Sequence, residues 1–190
     1  MTKSIMLVGV GGQGTILASK LLTLGLMESG YDVKMSEIHG MSQRGGSVST
    51  HVRYSKYKVY SPVIEEGTAD IVVSFEKMEA LRYLKYLKED GKIVANNYRM
   101  NSITVLTGQV EYKEKELDEE LARLDAKFID AASEAIKLGN AKVMNIILLG
   151  ALVKSMNLED IDWETIIKNN VKKQFVELNL KAFNRGKELS

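Results

Sequence analysis

The chain has 190 residues, 45% of them hydrophobic and 27% charged, the balance of an ordinary globular protein. Its 26 basic and 25 acidic residues leave a formal charge of +1, and no segment is a basic block, so no nucleic-acid footprint is visible. The absence of cysteine excludes disulfides, a thiolate nucleophile and a cysteine-held zinc or iron–sulfur cluster, and with only His39 and His51 a histidine metal site would need carboxylates to complete it.

The first predicted unit is a buried strand over Ser4–Gly9, a helix over Gly12–Gly30 and a strand over Tyr31–Glu37, a strand–helix–strand unit of the parallel kind. Ile16, Leu17, Leu21, Leu24 and Met27 are available for packing on that helix. The next strand, Ser47–Tyr54, alternates in character. The stretch IHGMSQRGG before it is too short and glycine-rich for a parallel crossover, so this strand is expected to run antiparallel or lie elsewhere in the sheet. Tyr57–Tyr60 reads as its short hairpin partner.

After Pro62 the α/β rhythm returns. It comprises a strand over Ala69–Phe75, a helix over Lys77–Lys88, a strand over Lys92–Asn96 and a short strand over Ile103–Leu106. A charged helix over Lys115–Leu124, a strand over Lys127–Asp130 and a helix over Ala131–Leu138 follow. Lys142–Met156 is apolar nearly all round and is expected to be buried, while Trp163–Asn169 and Val176–Asn184 are amphipathic. The reading is one domain over 1–190: a three-layer α/β/α unit with a mostly parallel, mixed sheet and a helical C-terminal part from 142. The longest apolar run, around 143–153, falls short of the ~20 residues that span a bilayer. The first residues enter a strand at once, without the pattern of a signal peptide, so a cytoplasmic protein with no membrane partner is expected.

Two loops carry the functional signal. Gly9, Gly11, Gly12, Gln13 and Gly14 form a Gly-x-Gly-x-x-Gly turn between strand and helix, with Glu37 near the place where a dinucleotide fold puts its ribose-binding acid. Such a turn suits an anion at the helix N-terminus. Glycine is also needed there for steric reasons alone, so a nucleotide site and a purely structural turn both remain open. The second loop, SEIHGMSQRGGSVSTHVR over 36–53, presents His39, Ser42, Gln43 and Arg44 beside Gly45 and Gly46. An arginine fork next to glycine N–H groups makes a fair anion or acidic-interface contact.

GVGGQGTILASKLL together with EIHGMSQRGGSVSTHVR resembles the gamma-type domain of the 2-oxoacid:ferredoxin oxidoreductases, and within them the beta subunits of the indolepyruvate type. ADIVVSFEKMEALRYLKYLKEDGKIVANN and GNAKVMNIILLGAL fit the same pattern. The resemblance implies an accessory subunit, inactive alone. Its large partner would carry thiamine diphosphate, magnesium and the iron–sulfur clusters, with coenzyme A as cosubstrate and ferredoxin as electron acceptor. The missing cysteines agree with that division, and no Gly-Asp-Gly…Asn diphosphate motif is present. The same resemblance makes the glycine turn and the loop of His39, Ser42, Gln43, Arg44, Gly45 and Gly46 face the partner or the substrate, and no metal is assigned to the chain. The alternative is a free-standing NAD(P)- or FAD-binding protein, carried by Gly9, Gly11, Gly14 and Glu37. His51 is expected to be a satisfied hydrogen-bonding residue, Asn145 a cap for buried backbone, and Glu76 a ligand-end acid or a helix cap. Met27, Met35, Met78 and Met144 are read as core filling.

Overall fold

The computed structural model describes residues 2–40 and 45–190; Ser42, Gln43 and Arg44 lie outside the described residues. Lys3–Val10 (β1) leads through the glycine turn into Thr15–Glu28 (α1), then Asp32–His39 (β2) and Ser47–Ser55 (β3). Ala69–Ser74 (β4), Lys77–Arg82 (α2) and Leu87–Asn96 (β5) follow, then Ile103–Leu106 (α3), Glu114–Arg123 (α4) and Lys127–Ile129 (β6). Four helices complete the chain: Ala131–Lys137 (α5), Met144–Ser155 (α6), Trp163–Asn170 (α7) and Val176–Glu188 (α8).

The six strands form one sheet in the order β2-β3-β1-β4-β5-β6. β1, β4, β5 and β6 run parallel, while β3 is antiparallel to both β1 and β2. Side-chain alternation divides the central strands between two layers. Ile5 and Leu7 of β1 and Ile71 and Val73 of β4 face α1, α6 and the C-terminal helices. Met6, Val8 and Val72 face the opposite way, onto Ile64, while Ile93 and Ala95 of β5 meet Ala80 of α2 and Leu121 of α4. The three-layer α/β/α architecture with a mixed, mostly parallel sheet is therefore present.

α6 is the centre of the larger layer. All of Met144–Val153 is buried, as its uniform apolarity requires. α8 crosses it at two glycines: a Cβ on Gly150 would lie 2.1 Å from the Phe183 carbonyl, and one on Gly186 1.9 Å from the Ile147 carbonyl. The two backbones touch, and no other residue fits at either point.

Five local expectations change. β2 does not lie beside β1, because a loop as short as 40–46 joins neighbouring antiparallel strands and β3 takes the intervening place. Tyr57–Tyr60 is a loop. Side chains hold the backbone here and just after it, with Val59 N–H donating to Asp32 Oδ2 (2.6 Å) and Arg53 donating to the carbonyls of Ser61 (3.1 Å) and Val63 (3.2 Å). The helix expected over Lys77–Lys88 stops at Arg82; after a single 3-10 turn, Leu87 already pairs with Ala69 and opens a longer β5. Ile103–Leu106 is a helical turn. Met78 and Met144 are core residues as read, but Met27 (54%) and Met35 (39%) are exposed, on the outer side of α1 and on the edge strand β2.

Candidate functional site

β1 sends its helix to one face of the sheet and its parallel neighbour β4 sends α2 to the other. The crevice between the carboxyl ends of two such strands is where open α/β sheets place ligands. Here a side chain of the chain itself occupies it. Gln13, 7% exposed, accepts the Val10 N–H at Oε1 (2.8 Å) and donates from Nε2 to the Phe75 carbonyl (2.9 Å), bridging the ends of β1 and β4.

The glycines follow from that plug. A Cβ on Gly9 would lie 2.8 Å from Gln13 Oε1 and 3.0 Å from Phe75 Cβ. Gly14 caps α1 with φ at +81°, and Asn145 Nδ2 donates to its carbonyl at 3.1 Å, so a Cβ there would meet the Asn145 amide at 2.6 Å. Asn145 is the backbone cap expected of it, and its Oδ1 is buried without a partner among the described residues. Gly11 is tied to the second loop: its N–H donates to the Gly46 carbonyl (2.8 Å) and its carbonyl accepts the Gly45 N–H (3.4 Å). Two motifs more than thirty residues apart thus meet at one end of the sheet.

Two clefts flank the turn. The first, about 590 Å³, is bordered by Gly11, Gly12, Gly14, Ile16 and His39. The second, about 540 Å³, has Gly12, Gln13 and Gly14 on one side, Tyr98 and Met100 on another, and Ile136, Lys142 and Met144 opposite. Both fall within the size range of small-molecule sites. They sit beside the turn rather than in the crevice that Gln13 fills.

Glu37 is not placed as a ribose acid. With β3 interposed, β2 lies two strand spacings from β1, roughly 10 Å. The Glu37 carboxylate accepts the Ser19 hydroxyl at 3.2 Å and stands 3.5 Å from His39 Nε2. His51 is buried with Nδ1 accepting the Ile64 N–H at 3.0 Å, but its Nε2 has no partner among the described residues, so the ring is only half satisfied. Burial holds its imidazole below the ordinary range.

Glu76 is a helix cap and more. Its Oε2 accepts the Glu79 N–H (3.1 Å) at the start of α2, and its Oε1 accepts the Tyr112 phenol (2.6 Å) and the Met100 N–H (3.4 Å). Burial pushes its carboxyl upward, partly offset by those three donors. Tyr98, Met100, Tyr112 and Lys142 border or brace the second cleft and went unread in the sequence. They lie in irregular or charged segments, where no hydrophobic period marks a residue.

No group of three or more His, Asp or Glu side chains among the described residues is placed to hold a metal. With no cysteine in the chain, its donor set does not fit an iron–sulfur cluster. No helix of the described residues is long and apolar enough to cross a membrane.

The model of the pyruvate ferredoxin/flavodoxin oxidoreductase family matches residues 4–189. The chain is 37% identical to the indolepyruvate oxidoreductase subunit IorB of Pyrococcus horikoshii, covering 96% of this chain and 93% of that one. It is also 37% identical to the subunit of the same name from Archaeoglobus fulgidus, covering 98% and 94%. Its fold matches the gamma subunit of a keto/oxoacid ferredoxin oxidoreductase from Geobacter sulfurreducens, with TM-score 0.71 at 23% identity over 98% and 97% of the two chains. It also matches a 2-oxoglutarate:ferredoxin oxidoreductase from Magnetococcus marinus, with TM-score 0.76 at 20% identity, covering 99% of this chain and 31% of that longer one. These relatives and the plugged crevice displace the free-standing dinucleotide reading. The chain belongs to the pyruvate ferredoxin/flavodoxin oxidoreductase family and is a small subunit of a 2-oxoacid:ferredoxin oxidoreductase of the indolepyruvate subunit type.

Proposed function

We propose that this chain is one gamma-type domain over 1–190 that presents its glycine-turn end to a large subunit in the cytoplasm. That partner holds thiamine diphosphate with magnesium and the iron–sulfur clusters, decarboxylates an arylpyruvate and passes electrons to ferredoxin, while coenzyme A takes the acyl group. The observation that carries the reading is the Gly11–Gly46 tie, which sets the turn and Gly45–Gly46 of the second motif side by side between two clefts. The Magnetococcus protein, whose structure holds coenzyme A and succinyl-CoA, supports an acyl carrier in this setting.

In this reading Gly9, Gly11, Gly12, Gln13 and Gly14 shape the mouth rather than bind a dinucleotide. His39, Ser42, Gln43, Arg44, Gly45 and Gly46 supply polar and cationic contacts to the partner or to the phosphates of coenzyme A. Lys142, on the rim of the second cleft, adds a further cation.

The test is reconstitution. The purified chain alone reduces no ferredoxin. Co-expressed with the large subunit it restores arylpyruvate-dependent, coenzyme A-dependent reduction. Equal activity from the large subunit without this chain overturns the reading.

A further inference from the structure

Loop 100–112 starts and ends at one atom. The Met100 N–H and the Tyr112 phenol both donate to Glu76 Oε1, at 3.4 and 2.6 Å, on a side chain 1% exposed. Capping α2 engages only the other oxygen, through the Glu79 N–H at 3.1 Å. Between the two ends, two hydrogen bonds among the described residues tie the loop to the rest of the chain: Ile103 N–H to the Gly45 carbonyl, 2.7 Å, and the exposed Arg99 Nε to Asn101 Oδ1, 3.0 Å, two residues along the chain.

The loop gains little from burial, because Ile103, Leu106 and Val110 are exposed. A segment with few apolar contacts opens locally at low cost unless polar ties hold it. Outside the neck, Arg99 stacks on the Tyr112 ring at 4.3 Å, and the Lys77 N–H holds the Tyr98 carbonyl at 3.2 Å. Tyr98 is therefore fixed independently. Met100 is not, and its methyl is the nearest atom to the position a Cβ on Gly12 would take, 3.9 Å away. Met100 is the part of the cleft wall that depends on the clasp.

We propose that Glu76 is the positioning residue of the second cleft: by gathering both ends of loop 100–112 onto one buried oxygen, it holds Met100 against the glycine turn and keeps the cleft to its shape. The consequence for coenzyme A rests on the subunit reading above; the clasp itself does not.

Tyr112→Phe separates the clasp from ordinary capping, since it removes one donor and leaves the α2 cap and the ring under Arg99 in place. Losing a hydrogen bond to a buried carboxylate should make amides of 100–112 exchange about tenfold faster while 144–153 keep their protection. In the co-expressed complex, the KM for coenzyme A should rise about tenfold with kcat within about twofold of the parent, as expected when binding geometry alone is loosened. Glu76→Gln, which keeps one acceptor oxygen, should fall between the parent and Glu76→Ala in both measurements.

Unchanged exchange in 100–112, or an equal rise in α6, overturns the clasp. Faster exchange with an unchanged KM overturns its role in the cleft. A parent complex with no coenzyme A dependence removes the subunit reading instead, and the exchange result still decides the clasp.

Discussion

The two faces of the sheet are covered by different physics. On one, α1 and α5 to α8 bury a continuous apolar layer, with α6 wrapped on every side and packed backbone to backbone against α8. On the other, the cover is two short helices and the 56–66 loop, fastened by polar ties. His51 and Arg53 hold the loop, Lys77 reaches Glu114 (3.1 Å) and Asp118 (2.9 Å) to bring α4 onto α2, and Glu76 clasps loop 100–112. The first face draws its stability from excluded water and shape. The second draws it from groups that respond to pH and to single-atom changes, and it lies under the wall of the second cleft. Rigidity on one side and adjustable ties on the other would suit the proposed role of the glycine-turn end, which has to be held open in one shape.

The sharpest way to break the apolar face is Gly186→Ala. Its methyl would lie 1.9 Å from the Ile147 carbonyl, backbone that cannot turn aside. Separating α6 from α8 should cost about 3 kcal/mol or more, read as a lower urea midpoint. Gln13→Ala tests the seam between the faces. It leaves the Val10 N–H unpaired in a buried place, while the Phe75 carbonyl keeps Asn96 Nδ2 at 3.2 Å. The expected loss is about 2 kcal/mol. Gln13→Glu should recover little of it: its carboxylate can accept from Val10, but it would be buried as a charge with an oxygen facing the Phe75 carbonyl in place of the amide donor. A stable Gln13→Ala protein would mean the glycine turn is not built around this plug.

The apolar face was legible in the sequence for the same reason that it is stable. Uniform apolarity marked α6, alternation marked β3, and a loop too short for a crossover left β3 antiparallel or elsewhere in the sheet, of which the first holds. On the polar face the charged helix α4 and the Glu76 cap were read correctly, but the connecting segments were not. Tyr57–Tyr60 reads as a hairpin partner, yet the backbone of 59–64 bonds to Asp32, Arg53 and His51, partners distant in sequence that no local pattern announces. The run Lys77–Lys88 has helical spacing, but pairing of Leu87 with Ala69 ended the helix early. Of the candidate site, the sequence singled out both motifs but not their contact. Spacing identifies a glycine turn, whereas the Gly11–Gly46 hydrogen bond depends on β3 lying beside β1. Met27 and Met35 failed as core residues because apolar character says nothing about which side of α1 the sheet leaves bare or which strand ends at the sheet's edge.

The mildest effect expected belongs to the polar face, and pH reveals it. His51 Nδ1 accepts the Ile64 N–H, so the neutral ring carries its proton on Nε2, near the Tyr86 ring whose centroid is 5.7 Å away. Ser36 and Met6 flank it from the neighbouring strands and bring no charge to offset a second proton. A folded pKa held below the unfolded value near 6.5 means that the unfolded chain binds the proton first as pH falls. Stability from this group is therefore complete above about pH 6.5 and declines below it until the folded imidazole also titrates, with a slope of at most about 1.4 kcal/mol per pH unit. Glu76 acts in the opposite sense. Its raised carboxyl takes up a proton in the folded chain before the unfolded one, and so gains stability as pH falls toward the ordinary glutamate value. The two are separated by His51→Gln, which keeps an acceptor for Ile64 and cannot titrate. Urea midpoints between pH 7.5 and 5.5 should fall for the parent relative to this variant. Parallel curves would show that His51 is not held neutral, and that the loop over β3 is fastened by Arg53 and Asp32 without it.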